Sequence, residues 1–120
     1  MKQAVCALIF RGDKILAVSR KDNPNDFGLI GGKVEEGETL PHALQREIYE
    51  ETGLDIIKGK LVFSRFDDGF TCYTYLCDVE GNVKTSETGV VKEVTWDDLF
   101  NGSFGEYNRK LYNTLYNEYE

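Results

Sequence analysis

The sequence predicts a single mixed α/β domain with several strands, one central helix and one C-terminal helix. Three observations carry that expectation. Apolar, β-branched runs recur in pairs around tight-turn residues, a helical pattern opens at Thr39 and stops at Gly53, and bulky apolar residues recur every fourth position near the C-terminus. With 120 residues, 41% hydrophobic and 29% charged, residues 1–120 form one domain, large enough for one core and too small for two.

Along the chain, "QAVCALIF" and "KILAVSRK" flank "RGD", whose Gly12 and Asp13 suit a tight turn, so the pair reads as a hairpin. The apolar stretch from Ala4 to Phe10 is far short of the roughly 20 residues of a membrane span. It also lacks a small-residue cleavage site, and so reads as a strand and not a signal peptide. "KDNPNDFG", with Pro24 and two asparagines, reads as a polar connecting loop, and "LIGGKVEEGE" is too broken by glycine for a helix. Thr39 then offers an N-cap, Pro41 is tolerated in the first turn, and Gly53 is a natural stop. "GKLVFSRF" and "FTCYTYLCDV" flank "DDG" as a second hairpin, and "EGN" turns into "VVKEVTWDDL", strand-like up to Trp96. The tail places Tyr107, Leu111, Leu115 and Tyr119 on one face of an amphipathic helix, where the tyrosines read as packing residues.

The net charge of −7 provides no basic footprint, so a nucleic-acid partner is not expected, and no membrane is expected either. Cys6, Cys72 and Cys77 form neither an even disulfide set nor a CxxC pair, which points to reduced thiols in a cytoplasmic compartment.

The chemistry concentrates in "REIYEETG", residues 46 to 53. On a wheel drawn from Glu47 at about 100° per residue, Leu40, Ala43 and Leu44 fall within about 60° and Ile48 lies about 100° away. Glu51 sits about 40° to one side and Glu50 about 60° to the other, while His42, Gln45, Tyr49 and Thr52 take the opposite sector, read as the solvent face. The glutamates therefore extend the apolar stripe. Carboxylates so placed are costly unless paired or coordinated, and three within one turn raise one another's pKa. Two arrangements relieve this: an ion-pair cluster around Arg46, or a divalent cation among the carboxylates. One guanidinium cannot neutralise three glutamates, which favours the cation, with oxygen ligands of the kind Mg²⁺ or Mn²⁺ prefers. Gly31, Gly32 and Gly37 let backbone approach a ligand closely, and no GK[ST] follows them, so this is not a Walker loop.

Taken together, Gly32, five residues, Glu38, seven residues and then "REIYEETGL" resemble the Nudix box over residues 32–54. The match holds at Gly32, Glu38, Arg46, Glu47, Ile48, Glu50, Glu51, Gly53 and Leu54. The resemblance implies an α/β/α sandwich with a mixed β-sheet, one catalytic helix and a C-terminal helix. It also implies hydrolysis of a nucleoside diphosphate linked to a group X, with Mg²⁺ or Mn²⁺ as cofactor and water attacking phosphorus. Carried onto this chain, Glu47, Glu50 and Glu51 would be metal ligands with the Gly31 carbonyl. Arg46 would orient the carboxylates, and Glu38 would hold the loop against the helix. Lys33 and Arg20 would contact phosphate. Glu87 resembles the later-loop carboxylate that assists as a base in some members, with Glu93 the competing choice. Phe27, Tyr73 and Tyr75 would clamp the base.

The chain departs from small members of the family before the glycines, where Phe27 and Ile30 stand in place of a common Trp and Pro. It lacks the downstream proline of ADP-ribose members, and Phe70 stands where dinucleoside polyphosphate members have a tyrosine. By elimination it is similar to MutT-like enzymes that convert a (deoxy)nucleoside triphosphate to the monophosphate and pyrophosphate. The alternatives are an ADP-ribose, dinucleoside polyphosphate or nucleotide-sugar pyrophosphatase and, in another class, a catalytically silent nucleotide-binding domain. A homodimer is compatible with the family.

Overall fold

A computed structural model describes residues 2–84 and 89–117. Its elements are β1 (Lys2–Leu8), β2 (Phe10–Arg11), β3 (Lys14–Arg20), β4 (Asn23–Lys33), α1 (Leu40–Thr52), β5 (Asp55–Asp67), β6 (Phe70–Glu80), β7 (Val91–Val94), α2 (Trp96–Phe100) and α3 (Gly105–Tyr116). The strands form one sheet in the order β2-β3-β4-β1-β6-β5, with β7 paired to β3. The β1–β6 pair is parallel and the other pairs are antiparallel.

The unbroken apolar run in β1 explains its central place, because a strand covered on both faces has no polar side to present. Val5, Ala7 and Ile9 enter a core cluster with Ala43, Leu44 and Ile48 of α1. Leu8 points the other way, into a cluster with Ile15, Ala17, Val94 and Leu99 of α2, against which Leu115 of α3 packs. The mixed sheet thus lies between two helical layers. Among the described residues, no helix is long and apolar enough to cross a membrane.

The local signals of α1 act as read. The Thr39 hydroxyl accepts from the His42 N–H at 3.2 Å, and Gly53, at φ 78°, donates its N–H to the Tyr49 carbonyl at 2.8 Å. The "DDG" hairpin turns through positive φ at Asp68 and Gly69, the backbone of a primed two-residue turn.

Three local expectations are corrected. Residues 23–28 are not a loop but the first half of β4. Ser19 pairs with Phe27 and Arg20 with Asn23, so Pro24, Asn25 and Asp26 bulge out where no ladder N–H is required of the proline. The strand pattern does not run to Trp96. It ends at Val94, and Thr95 caps α2 through a reciprocal bond pair with Asp98. Thr52 is not on the solvent face. It is fully buried, because the core-facing stripe of α1 is centred between Leu44 and Ile48 and not on Glu47. The stripe of α3 holds through Leu111 and Leu115, while Tyr119 lies outside the described residues.

The Thr52 hydroxyl donates to the Ile48 carbonyl at 2.6 Å and accepts from the Leu54 N–H at 3.1 Å. Thr52→Val keeps the shape but orphans a buried N–H. It is expected to cost about 1–3 kcal/mol in urea unfolding, whereas Tyr49→Ala on the exposed face stays within about 0.5 kcal/mol.

Candidate active site

One guanidinium organises the acidic helix. Arg46 presents Nε to Glu38 Oε2 at 2.7 Å and Nη2 to Glu38 Oε1 at 2.9 Å, a two-pronged pair. Its Nη1 lies 3.0 Å from Glu47 Oε2 and 3.2 Å from Glu50 Oε1, and Nη2 also donates to the Lys33 carbonyl at 3.1 Å. Glu38 accepts the Glu35 N–H at 2.9 Å as well, so the loop between β4 and α1 is tied both to itself and to the helix. The Arg46 bonds, helped by that backbone N–H, pull the Glu38 carboxyl down from its ordinary 4.5 to about 2.

Glu47 is the inner carboxylate, its side chain 14% exposed against 57% for Glu50. Its pKa is raised, chiefly by burial and further by Glu50 and Glu51, despite the opposing Arg46. The carboxylate of Glu47 fills the space above Gly32: a Cβ there would fall inside the radius of Glu47 Oε2, and one on Gly31 would collide with the Val5 carbonyl. The two glycines are therefore what lets β4 press against both α1 and β1.

On the other side of that seam is a cavity of about 540 Å³ between β1, β4, β6 and α3. Gly31, Gly32 and Lys33 line its edge, with Lys33 Nζ 5.5 Å from the centre of the Phe70 ring. Asn108 lines it from α3; the residue is 1% exposed, yet its Nδ2 has no hydrogen-bond partner among the described residues. A buried amide in that condition is exceptional and asks for an acceptor. Sequence reasoning missed Asn108. The signal was its place three residues before Leu111, on the buried side of an amphipathic helix.

The other candidates are placed as follows. Glu51 is half-buried and borders a separate depression of about 680 Å³ with Arg20, whose Nε lies 3.5 Å from Asp22 Oδ1 and 3.9 Å from Asp26 Oδ2. Phe27 packs against the cluster around Leu8 and Leu99, with Lys92 over its ring. Tyr73 and Tyr75 pack against the α1-side cluster, and Gln3 Nε2 is 3.4 Å from the Tyr73 hydroxyl. These three aromatics are partly buried and pack against the edges of the two core clusters. Glu93 is exposed on β7, paired with Leu16, and Glu87 lies outside the described residues.

Among the described residues, no three acidic, histidine or cysteine side chains already converge as a metal cage; Glu47 and Glu50 are turned to Arg46. The donor set nevertheless suits a hard divalent cation. Among the described residues Arg46 alone pairs with Glu38, Glu47 and Glu50, the acid excess is made of oxygen ligands, and the burial that raises Glu47 would be relieved by a positive charge.

The fold and this site define a carboxylate-helix α/β domain, and comparison with known proteins gives it a family. Residues 1–114 match the model of the NUDIX domain, and the chain belongs to that family. It is 53% identical over 53 residues to an ADP-ribose pyrophosphatase of Methanocaldococcus jannaschii, covering 42% of this chain and 31% of that protein. It is 35% identical over 60 residues to a dihydroneopterin triphosphate diphosphatase of Escherichia coli, covering 48% and 40%. The match thus spans less than half the length of either relative. The crystal structure of a MutT NUDIX hydrolase from Burkholderia pseudomallei superposes with a TM-score of 0.77 at 25% identity, over 95% of this chain and 97% of that one.

The Arg46–Glu38 clamp makes an acid-side prediction. The folded pKa of Glu38 is depressed, so its stabilisation is complete above its ordinary value of 4.5 and is lost as pH falls toward about 2. Glu38→Gln is expected to lower stability at neutral pH and to flatten the decline across that window. Urea unfolding of both proteins at a series of pH values measures it, and parallel curves for the two would refute the assignment.

Proposed function

We propose that the chain hydrolyses a nucleoside diphosphate linked to a group X, and most specifically a (deoxy)nucleoside triphosphate to the monophosphate and pyrophosphate. The observation that carries this reading is the seam at Gly31 and Gly32. A carboxylate cluster with an acid excess lies on one side, and a cavity with a cation at its edge and the unsatisfied Asn108 in its lining lies on the other.

The residues divide the work. Glu47, Glu50 and Glu51, with the Gly31 carbonyl, would hold Mg²⁺ or Mn²⁺, which when bound supplies neutralisation of the diphosphate charge. Arg46 fixes the rotamers of Glu47 and Glu50 and keeps them from repelling one another apart. Lys33 draws the phosphates to the seam, and the substrate is aligned for in-line attack of water at phosphorus. The phosphoanhydride bond breaks, pyrophosphate leaves, and a carboxylate of the helix takes the water's proton. The base enters the cavity, where Asn108 Nδ2 donates to a ring carbonyl oxygen.

A second reading, hydrolysis of ADP-ribose, is favoured by the printed activity of the M. jannaschii relative. Mg²⁺-dependent turnover of a panel comprising canonical and oxidised (d)NTPs, ADP-ribose, dinucleoside polyphosphates and nucleotide sugars separates the two. Glu51→Gln, run beside the parent chain, is expected to fold and to lose turnover by at least about 100-fold; an undiminished rate would remove Glu51 from the reaction. Asn108→Leu is expected to melt no lower than the parent, since it removes an orphaned donor, yet to lose about tenfold in kcat/KM for a carbonyl-bearing base. Equal loss for amino- and carbonyl-bearing bases would mean that Asn108 does not read the base.

A further inference from the structure

The cavity that takes the base in the reading above has a thiol in its wall. Cys72 on β6 lines it and is partly exposed, and Cys6 on β1 stands next to it, the two sulfurs 3.9 Å apart. Neither cysteine is in a disulfide, and the hydrolysis proposed above assigns neither a role.

A chain of hydroxyls leads to this pair. The Tyr107 hydroxyl is 2.6 Å from Thr74 Oγ1, and Thr74 Oγ1 is 3.0 Å from Cys6 Sγ. The Tyr107 hydroxyl also donates to the Cys72 carbonyl at 3.4 Å, and in the Tyr107–Thr74, Thr74–Cys6 and Cys6–Cys72 contacts either partner can be the donor. With the Cys6 S–H turned to Cys72, the Cys72 sulfur is the acceptor of that contact, the position in which a thiolate is stabilised. The Cys6 bond, followed by Tyr107 and against the burial, brings the Cys72 thiol down from 9.0 to about 7.

The other two thiols differ in access. Cys6 is 9% exposed and Cys77 is 3% exposed. Cys77 lies five residues beyond Cys72 on the same strand, so the alternation of strand side chains sends it to the opposite face, into the α1-side core, where burial pushes it up to about 11. A second, independent observation bears on the cavity beside Cys72: Asn108 lines it, and the buried amide of that residue has no partner among the described residues.

We propose that Cys72 is a thiol–disulfide exchange site that closes this cavity, a regulation that rests on reading the cavity as the base site. The Cys72 thiolate attacks one sulfur of a low-molecular-weight disulfide RS–SR, the S–S bond breaks, and RS⁻ leaves to take up a proton. The new mixed disulfide holds the SR group in the space between β6 and α3. A free thiol reverses the step by attacking the same bond. Cys6 is a positioning residue, since it donates to the attacking sulfur and is itself shielded from reagent.

The test uses hydroxyethyl disulfide on the whole chain near neutral pH, with adducts mapped by mass spectrometry, the Asn108 side-chain amide followed by NMR, and Mg²⁺-dependent nucleotide turnover measured on the same samples. The expected result is an adduct at Cys72 formed at least about tenfold faster than at Cys6 or Cys77. The adduct should shift the Asn108 amide resonances and lower turnover in proportion to its occupancy, and dithiothreitol should reverse all three effects. Cys72→Ala, compared with its own untreated rate, should keep that rate on treatment. First modification at Cys6 or Cys77, an Asn108 resonance that does not move, or full turnover with Cys72 occupied would each overturn the proposal. If the unmodified chain turns over no nucleotide, the reading of the activity fails by itself, and the mapping and the Asn108 resonances still decide whether Cys72 closes the cavity.

Discussion

Everything at the acidic end of α1 depends on Arg46 having more donors than any single carboxylate can use. A lysine could offer one compact charge to one partner; the planar fork meets Glu38 with two parallel bonds and still has Nη1 for Glu47 and Glu50 and part of Nη2 for the Lys33 carbonyl. That geometry does two jobs at once. It anchors the loop after β4 to the helix, and it holds two like-charged side chains side by side in fixed rotamers. One cation among three carboxylates leaves the cluster acidic, so the clamp organises the site without satisfying it. The remaining attraction is available to a cation and, through it, to a diphosphate.

The clamp could not reach Lys33 if β4 lay further away. Gly31 and Gly32 remove the two Cβ atoms that would hold the strand off β1 and off the Glu47 carboxylate. β4 also joins β1 to β3, so it carries the sheet between the α1-side and α2-side cores. Its first half bends through the bulge at Pro24–Asp26, and there Asp26 takes both the N–H and the hydroxyl of Ser103 in the turn between α2 and α3. One strand thus positions the carboxylate helix at its end and the entrance to α3 near its start.

How much of this is legible in the sequence follows from how local each cause is. The caps at Thr39 and Gly53 and the Arg46–Glu50 spacing are set within one helix, so periodicity and capping residues reveal them. The start of β4 was hidden because Pro24 and its asparagines carry a loop signal and only the partner strand shows that they form a bulge. α2 was hidden because five residues are too few for a periodic signal, although Thr95 and Asp98 spell a capping box. Thr52 was misplaced because the wheel was centred on its charged members, whereas the core contacts of Leu44 and Ile48 decide its true axis. The cavity was beyond reach, since Cys6, Cys72, Lys33 and Asn108 come from four elements that no spacing rule connects.

The parallel pairing of β1 with β6 accounts for the division of chemistry. In that register Val5 stands beside Tyr73 and Ala7 beside Tyr75, all toward α1, while Cys6 beside Thr74 faces the α3 side with Cys72. Alternation along two strands therefore separates the layer that holds carboxylates from the layer that lines the cavity, and only backbone as thin as glycine lies between them at the seam. The Arg46 cluster meets the cavity wall at the Lys33 carbonyl and over Gly32, and no hydrogen bond or ion pair among the described residues ties it to Cys72 or Asn108. Relatives that share part of this sequence carry different named activities, ADP-ribose pyrophosphatase and dihydroneopterin triphosphate diphosphatase, and a carboxylate helix set apart from the cavity is compatible with such variety. In the proposed function, selectivity resides in the few groups around Asn108, and a covalent change there acts on recognition at a distance from the carboxylates of α1.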